Sequence, residues 1–146
     1  MQRGRGVRKI VKGRAVIPGN ANGQTIVSQK PLSFWGGVNP DTGEVIDRRH
    51  DCSGKIISGK IFVFPNGKGS STGSAVLMEC MKNGTAPAAI INSKLDAILA
   101  LGAIIVEVLY HKTIPMVVLK NEDFLEIHDN DYLSVKSDGT VLINSN

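Results

Sequence analysis

The chain has 146 residues, of which 42% are hydrophobic and 21% are charged, a balance typical of a globular domain with a buried core. Its longest apolar run, near residues 98–106, is too short for a membrane span of about 20 residues. The net charge is +4, but no aromatic residue lies among the N-terminal basic residues, so a nucleic-acid surface built on base stacking is not predicted. The basic N-terminus also lacks the apolar core of a secretion signal, and a cytoplasmic location is expected.

Apolar stretches bounded by turn residues predict eight strands. The last two are joined by Ser137-Asp138-Gly139, which is a short hairpin signal. The predicted strands are Lys9–Ile17, Thr25–Val27, Lys60–Phe64, Ala88–Ile91, Ile104–Val108, Met116–Leu119, Tyr132–Lys136 and Thr140–Ile143.

Two helices are predicted between these strands. Ser74–Asn83 carries an apolar face and is followed by Gly84 as a C-cap, and Lys94–Leu101 is expected to end at Gly102. Strands that alternate with helices imply parallel pairing through helical crossovers, and the flanking strands imply an antiparallel remainder. We therefore predict an α/β fold with a mixed, barrel-like sheet and few helices. It forms a single domain over residues 1–146, with residues 1–6 as a loose extension.

The two cysteines, Cys52 and Cys80, are too few and too far apart to hold a zinc ion or an iron–sulfur cluster. Cys80 lies on the apolar face of the first predicted helix and is expected to be buried. Cys52 lies in a polar turn, where it could be exposed. No metal ligand is assigned in this chain, so any metal cluster that the function needs comes from another chain.

The most unusual segment is FPNGKGSSTGSAVLMECMKNG, residues 64–84, which crowds glycines and hydroxyl residues before a helix. It is not a nucleotide-binding P-loop, because Gly67-Lys68 is followed by Gly69 and Phe62 stands where that motif needs its first glycine. The five residues 69–73 match the G-x-S-x-G pattern of hydrolases around Ser71, but nothing marks His111 or His128 as a catalytic partner.

Two further interpretations of this segment stay open from the residues alone. The hydroxyl side chains are good helix caps, and the glycines permit a tight turn. The unpaired N–H groups and the positive end of the helix dipole also favour an anion or an activated serine.

Several segments together resemble the swivel-domain subunit of the aconitase X family over nearly the whole chain, from about Gly13. They are LSFWGGVNPDTGEVID at 32–47, FPNGKGSSTGSAVL at 64–77, GTAPAAIINSKLDAILALGAII at 84–105 and TIPMVV at 113–118. The resemblance implies a swivelling β/β/α barrel-like domain. It also implies that Ser70, which corresponds to the first serine of the related aconitase loop, is the catalytic proton acceptor. Thr72 stands where aconitase has a substrate-binding arginine, so the substrate contacts are expected to differ.

The family resemblance further implies a hydro-lyase of two subunits. A larger subunit would carry a [4Fe-4S] cluster whose open iron activates the leaving hydroxyl, and this small subunit would complete the site, as a heterodimer or a multiple of it. Archaeal members dehydrate (R)-mevalonate 5-phosphate to trans-anhydromevalonate 5-phosphate in a modified mevalonate pathway of isoprenoid synthesis, and bacterial relatives dehydrate hydroxyprolines. The separate small subunit and the basic composition, rich in lysine and isoleucine, favour the archaeal phosphomevalonate enzyme. The competing hypothesis is a stand-alone module that binds phosphate or carboxylate without chemistry.

The remaining candidate site residues have a functional and a structural interpretation each. Lys68 would add positive charge near the base or be a solvated lysine, and His50 could face a substrate phosphate or the solvent. The others would bind the substrate or serve as caps and turns: Gly69, Ser71, Thr72, Gly36 and Gly37.

Overall fold

The structure is a computed structural model that describes residues 6–68 and 72–144, with Thr72 described in its backbone only. Within these ranges the chain forms an eight-stranded mixed sheet, a two-stranded ribbon and three helices. The strands are β1 (Val7–Lys12), β2 (Arg14–Ile17), β3 (Ala21–Val27), β4 (Val38–Asn39), β5 (Glu44–Val45), β6 (Ile61–Val63), β7 (Ala89–Asn92), β8 (Met116–Val118), β9 (Tyr132–Val135) and β10 (Thr140–Asn144). The helices are α1 (Thr72–Asn83), α2 (Ala97–Tyr110) and α3 (Asn121–Phe124).

The centre of the large sheet is parallel. Strands β3, β6, β7 and β8 lie side by side in one direction, while the other pairs are antiparallel. Helix α1 makes the crossover from β6 to β7, and α2 makes the crossover from β7 to β8. Every residue of β6 and β7 is buried, which is why these strands read as continuous apolar runs rather than alternating ones.

The sheet curls until its two edges approach each other. Its strand order is β1-β10-β9-β3-β6-β7-β8-β2, yet β1 and β2 are consecutive in the chain and only Gly13 separates them. The N–H of Gly13 donates to the carbonyl oxygen of Gly139 over 2.8 Å, which joins this corner to the β9–β10 hairpin. The sheet is therefore a nearly closed barrel, and the predicted fold class is confirmed.

Two apolar clusters hold the layers together. One lies between the sheet and the helices and includes the stacked rings of Phe62 and Phe64, whose centroids are 4.4 Å apart. Cys80 is fully buried in it, as the apolar face of α1 predicts. The other cluster fills the inside of the barrel with branched side chains from β6, β7, β9 and β10. Both clusters support the strand ends that lead to the candidate site.

One predicted element is wrong. Residues 104–108, predicted as a strand, belong to α2, which does not end at Gly102 but continues to Tyr110. The β-branched run Ile104-Ile105-Val106 is typical of a strand, and glycine is the usual end of a helix, so both local signals were misleading. Neither α2 nor any other helix of the described ranges has the length and apolarity of a membrane span.

The other differences concern boundaries and short elements. The predicted first strand is broken into β1 and β2 at Gly13, and the short elements β4, β5 and α3 were not predicted. The hairpin at residues 137–139 is confirmed, since β9 and β10 pair in antiparallel register on either side of it. Of the predicted N-terminal extension, residues 1–5 lie outside the described residues.

Candidate active site

The carboxylate of Asp96 joins the segment that precedes the glycine–serine loop to the start of α2. Its Oδ2 accepts the backbone N–H of Gly67 over 2.7 Å, and its Oδ1 accepts the N–H of Leu99 over 3.1 Å. The second bond is the N-cap of α2, which satisfies a donor that the helix leaves free. The segment between β6 and α1 is thereby fixed to the start of α2.

Close packing against α2 holds the first turn of α1. A Cβ atom on Gly102 would lie 2.9 Å from the Cβ of Ser74, nearer than carbon atoms of this kind approach. Gly102 is therefore the point of closest contact between the two helices, which explains its place within α2. At the other end of α1, Gly84 has φ of 76° and Thr85 N–H donates to Cys80 O over 2.8 Å, as in a Schellman C-cap. The predicted cap at Gly84 is confirmed.

The segment before β4 runs alongside the loop. Leu32 N–H donates to the carbonyl of Asn66 over 3.2 Å, and Lys68 N–H donates to the carbonyl of Leu32 over 3.2 Å. The buried ring of Phe34 lines a cleft with Gly73 of α1. The segment around Phe34 therefore lies against the described residues that border the glycine–serine loop, Asn66 and Lys68 before it and Gly73 after it.

The two glycines of this segment differ in their surroundings. Gly36 has φ of 78°, and no atom lies within 4 Å of where its side chain would be. Gly37 packs against the carbonyl oxygen of Ser33, so its lack of a side chain serves the turn itself. Trp35 is 62% exposed and does not cover the barrel. Of the pair, Gly36 is the one with open space beside its backbone.

Two depressions adjoin Lys68. The smaller, of about 40 Å³, has room for little more than a water molecule and is lined by Leu32, Phe34, Gly67, Lys68, Gly73, Asp96, Ile98 and Leu99. The larger is an open groove of about 520 Å³, which we call the basic groove. Its lining residues are Lys30, Pro31, Asp47, Arg49, His50 and Lys68. Lys68, an exposed side chain two positions before Ser70, thus stands between the two.

His50 is buried rather than facing solvent, in contrast to what is usual for a loop histidine. Its Nδ1 accepts the N–H of Cys52 over 3.1 Å, and its Nε2 lies 3.2 Å from both the carbonyl of Lys30 and the Oγ of Ser28. Because Nδ1 accepts a backbone donor, we assign the proton to Nε2, and the approach of Asp51 Oδ1 to Nδ1 at 3.3 Å is a contact and not an ion pair. Both ring nitrogens of His50 therefore have hydrogen-bond partners.

Asp51 adds an exposed carboxylate to the buried pair of Ser28 and His50. Its Oδ1 accepts the hydroxyl of Ser28 over 2.5 Å, and its Oδ2 accepts the N–H of Gln29 over 3.1 Å. Although partial burial opposes ionisation, these hydrogen bonds hold the pKa of the Asp51 carboxyl below its usual value. The carboxylate is the charged member of the cluster. Its two donors, the Ser28 hydroxyl and the Gln29 N–H, lie directly after β3.

The cysteines do not form a metal centre among the described residues. Cys52 is buried, contrary to the exposure considered for its turn, and burial together with the Asp51 carboxylate raises the pKa of its thiol to about 11. Burial also raises the pKa of the Cys80 thiol. His50, Asp51 and Cys52 lie close enough to share a cation, but the histidine Nδ1 is occupied and the thiol stays protonated, so the trio does not suit a metal ion.

Three of the predicted site residues, Gly69, Ser70 and Ser71, lie outside the described residues. Thr72 begins α1, which is consistent with a cap position, and its side chain is not described. What the structure does describe is the frame of the loop, from Lys68 at one end to Gly73 at the other.

The family of the chain is decided by its match to the aconitase X swivel domain, which covers residues 10–143. The chain belongs to the aconitase X swivel-domain family. The crystal structure of Thermococcus kodakaraensis aconitase X in its holo-form has a similar chain, with a TM-score of 0.83 and 43% identity, over 92% of this chain and 98% of that one.

Curated relatives of this swivel domain carry two different names. It is 45% identical over 133 residues to the phosphomevalonate dehydratase small subunit of Methanosarcina mazei. The aligned region covers 91% of this chain and 83% of that subunit. It is 43% identical over 130 residues to the cis-3-hydroxy-L-proline dehydratase of Hypocrea jecorina, which covers 89% of this chain. There the match spans only 22% of the longer protein.

Four residues that the structure of this swivel domain brings to the site carry no role in the prediction from the sequence. Asp96, Lys30 and Arg49 carry charge at or near the loop, and Ser28 lies beneath them with no exposed surface. A signal existed for Asp96, since an aspartate before an apolar helical run is a typical N-cap. No local signal marks Ser28 or Lys30, because only the pairing of distant loops gives them their neighbours.

Proposed function

We propose that this swivel domain is the small subunit of a dehydratase that removes water from (R)-mevalonate 5-phosphate, with Ser70 as the proton acceptor. The observation that carries the proposal is the 45% identity to a phosphomevalonate dehydratase small subunit over 83% of its length. Similar identities extend to the small subunits of Methanosarcina acetivorans and Methanocella arvoryzae. The product would be trans-anhydromevalonate 5-phosphate, an intermediate of isoprenoid synthesis.

The proposed role of Ser70 follows from its position ahead of α1. The first turn of a helix leaves backbone N–H groups without intrahelical partners, and the helix dipole adds partial positive charge there. Lys68, two residues earlier, contributes a further cation. Both lower the cost of a serine alkoxide, which would take the proton from C2 of the substrate. Ser71 and Thr72 are proposed to bind the substrate, and Gly69 and Gly36 to let it approach the backbone.

The iron–sulfur cluster that the family implies does not fit this chain. Its two cysteines are buried on different elements, and their thiols have raised pKa values, whereas cluster ligands are thiolates. We propose that a larger partner subunit holds the cluster and that the small subunit is active only in complex with it. No catalytic step in this chain depends on a cluster of its own.

The exposed side of α2 is proposed as the surface that meets the large subunit. We call it the α2 face; it consists of Leu95, Ile98, Leu101, Ile104, Val108 and Leu109, all at least 38% exposed. Monomeric soluble proteins rarely expose so many neighbouring apolar side chains. Ile98 also lines the cleft beside Lys68 and Gly73, so a chain that closes over the loop would cover this end of the face.

Hydroxyproline dehydration is the second candidate function. The relative from Hypocrea jecorina and another from Pseudomonas aeruginosa, at 46% identity, carry that name. A non-catalytic module that binds phosphate or carboxylate is the third, because the same loop frame could hold an anion without chemistry.

The decisive experiment is turnover by the complex of this chain with its large subunit. We expect dehydration of mevalonate 5-phosphate and no turnover of cis-3-hydroxyproline. Ser70→Ala should abolish the activity while the two subunits still co-elute, and Ser71→Ala is the matched control that should keep measurable turnover. If Ser71→Ala is the inactive variant, the base is misassigned by one residue. If the chain is fully active and colourless alone, the two-subunit proposal is wrong.

A further inference from the structure

The basic groove has an excess of positive charge without a function assigned to it so far. Three cationic side chains, Lys30, Arg49 and Lys68, line it together with one carboxylate, Asp47. That carboxylate is engaged locally, since its Oδ1 accepts the N–H of Arg49 over 3.0 Å. None of the three cations forms an ion pair with any residue in the described part of the chain, and all three are exposed. The groove is therefore set up for an external anion.

A buried polar cluster fixes the wall of this groove from beneath. The Oγ of Ser28 accepts the N–H of Lys30 over 2.9 Å, and His50 Nε2 lies 3.2 Å from the Lys30 carbonyl. On the other side, Asp51 binds the Ser28 hydroxyl. The cluster thus connects the chain at Lys30 to the chain at Arg49, and Lys30 Nζ lies 3.5 Å from the Arg49 carbonyl.

Such a cluster costs free energy unless every member is satisfied, and here each one is. The neighbouring loops 28–31 and 47–52 have no helix or long strand to hold them. Hydrogen bonds of His50 and Ser28 to the backbone supply that rigidity. Cations carried on a fixed backbone bind a small anion with less loss of entropy than cations on mobile loops. His50 therefore holds in place the loops that carry Lys30 and Arg49.

The size of the groove and its distance from the loop also suit the proposed substrate. A volume of about 520 Å³ lies within the range of small-molecule sites, roughly 300–1,000 Å³. The chain from Lys68 to Ser70 spans at most about 7 Å, and C2 of mevalonate 5-phosphate lies about 6 Å from its phosphorus when extended. Lys68 in the groove and the proposed base Ser70 are thus only two residues apart in the chain, a separation on the scale of the substrate itself.

We propose that Lys30, Arg49 and Lys68 form the subsite for the phosphate group of the substrate, with His50 and Ser28 as the residues that position it. This inference rests on the proposed function. A phosphate monoester carries between one and two negative charges at neutral pH. It therefore matches three cations better than a carboxylate, which carries a single charge. Arg49 would supply the bidentate contact that guanidinium groups make with phosphate, and the lysines would act as point charges.

The test compares steady-state kinetics of the assembled two-subunit enzyme. Arg49→Gln and Lys30→Gln should each raise KM for mevalonate 5-phosphate at least about tenfold, while kcat changes by less than about threefold, because the phosphate contact is made equally in the ground and transition states. Inorganic phosphate should inhibit the wild-type enzyme competitively, and its inhibition constant should rise in both variants. The inhibition constant of inorganic phosphate should be far higher than the KM for mevalonate 5-phosphate. This difference would show that the site prefers the phosphorylated acid to the free phosphate ion.

A matched control lies in a second groove with basic residues. Arg14 lines that groove with Lys12 and Lys120, and Lys68 does not contribute to it. Arg14→Gln removes the same charge and should leave KM and phosphate inhibition unchanged. His50→Gln should reproduce the KM effect of Arg49→Gln with kcat retained, a split that general misfolding would not give. An unchanged KM in Arg49→Gln, or a raised KM in Arg14→Gln, overturns the subsite.

The same measurements separate the failure of the subsite from failure of the proposed function. If the wild-type enzyme dehydrates mevalonate 5-phosphate but Arg49→Gln binds it normally, the function stands and the subsite is wrong. If the wild-type enzyme turns over hydroxyproline instead, the function is wrong. In that case phosphate binding to the complex is measured by isothermal calorimetry. The subsite is supported only if the wild-type complex binds phosphate and the Arg49→Gln complex does not. Absence of phosphate binding would then overturn it as well.

Discussion

Asp96 accepts the N–H of Gly67 with one carboxylate oxygen and the N–H of Leu99 with the other. Asp96→Ala removes both bonds, and we expect it to lower the free energy of unfolding by about 1–3 kcal/mol, from the lost cap and a buried donor without a partner. Turnover of the complex should fall as well, because Gly67 precedes the catalytic loop. Urea unfolding and steady-state kinetics measure the two effects.

Asp96→Asn is the control for this prediction. An amide keeps one acceptor oxygen, so it can retain the cap at Leu99 or the bond to Gly67 but not both. Its loss of stability should lie between wild type and Asp96→Ala. Equal stability of all three proteins would show that the two hydrogen bonds of Asp96 contribute nothing to the free energy of unfolding.

Gly102 sets the distance between α1 and α2, so a methyl group there should be costly. The new Cβ would meet Ser74 at 2.9 Å, and α1 would have to shift. We expect Gly102→Ala to destabilise the chain by about 1–3 kcal/mol, although alanine is favoured over glycine in a helix by about 1 kcal/mol. Thermal unfolding measures this.

The adjacent position offers a control for the packing at Gly102. Leu101 is 52% exposed and points away from the contact with α1, and Leu101→Ala should change the stability by less than about 0.5 kcal/mol. A stabilising effect of Gly102→Ala would mean that the helices separate at no cost.

The thiol of Cys52 should be unreactive in the folded chain. With a pKa of about 11, only about one molecule in a thousand carries the thiolate at pH 8, and the side chain is buried. A thiol reagent such as DTNB should label neither cysteine in native protein at pH 8 and both of them in urea. Fast labelling of one native thiol, assigned with Cys80→Ala, would contradict this.

The same shift in the Cys52 pKa gives stability a pH dependence. The folded-state pKa is raised above the ordinary value of 9.0, so the contribution to stability is complete below pH 9 and is lost as pH rises towards 11. Urea unfolding across this interval should show a steeper decline for wild type than for Cys52→Ala. Parallel curves would mean that the thiol titrates alike in both states.

The α2 face is expected to be the contact with the large subunit. Ile104→Asp places a charge on a side chain that is 46% exposed, so the isolated chain should remain folded while its affinity for the large subunit falls at least about tenfold. Ile10→Asp, at a 64% exposed isoleucine on β1, is the matched control and should bind normally. Analytical size-exclusion chromatography distinguishes the two. Normal assembly of Ile104→Asp would remove this face from the interface.

The errors in the prediction of α2 have a physical cause. A helix is recognised by a polar side that alternates with an apolar one, but α2 is apolar on its buried side and largely apolar on its exposed side. Its β-branched residues then resemble a strand. The pattern on α1 is amphipathic, and there the helix and its C-cap at Gly84 were predicted correctly.

The residues of the candidate site also fall into those that the sequence predicts and those that it does not. The glycine–serine loop and the helix after it were evident from residues close together in the sequence, and the family was evident from several such segments. The burial of His50 and Cys52 was not, because a polar turn carries no sign of the chain that will cover it. Their partners Ser28 and Val27 lie more than 20 residues away.

The sequence by itself determined the elements that depend on local forces: the apolar runs of the parallel strands, the hairpin at residues 137–139, and the crowded hydroxyl groups ahead of α1. Only the tertiary structure decided which distant loops meet. It brought Lys30, Arg49 and Lys68 to one groove and placed Asp96 beside Gly67. The reason is that a local preference involves neighbours along the chain, whereas a charge cluster exists only after the sheet has curled and its crossovers have packed.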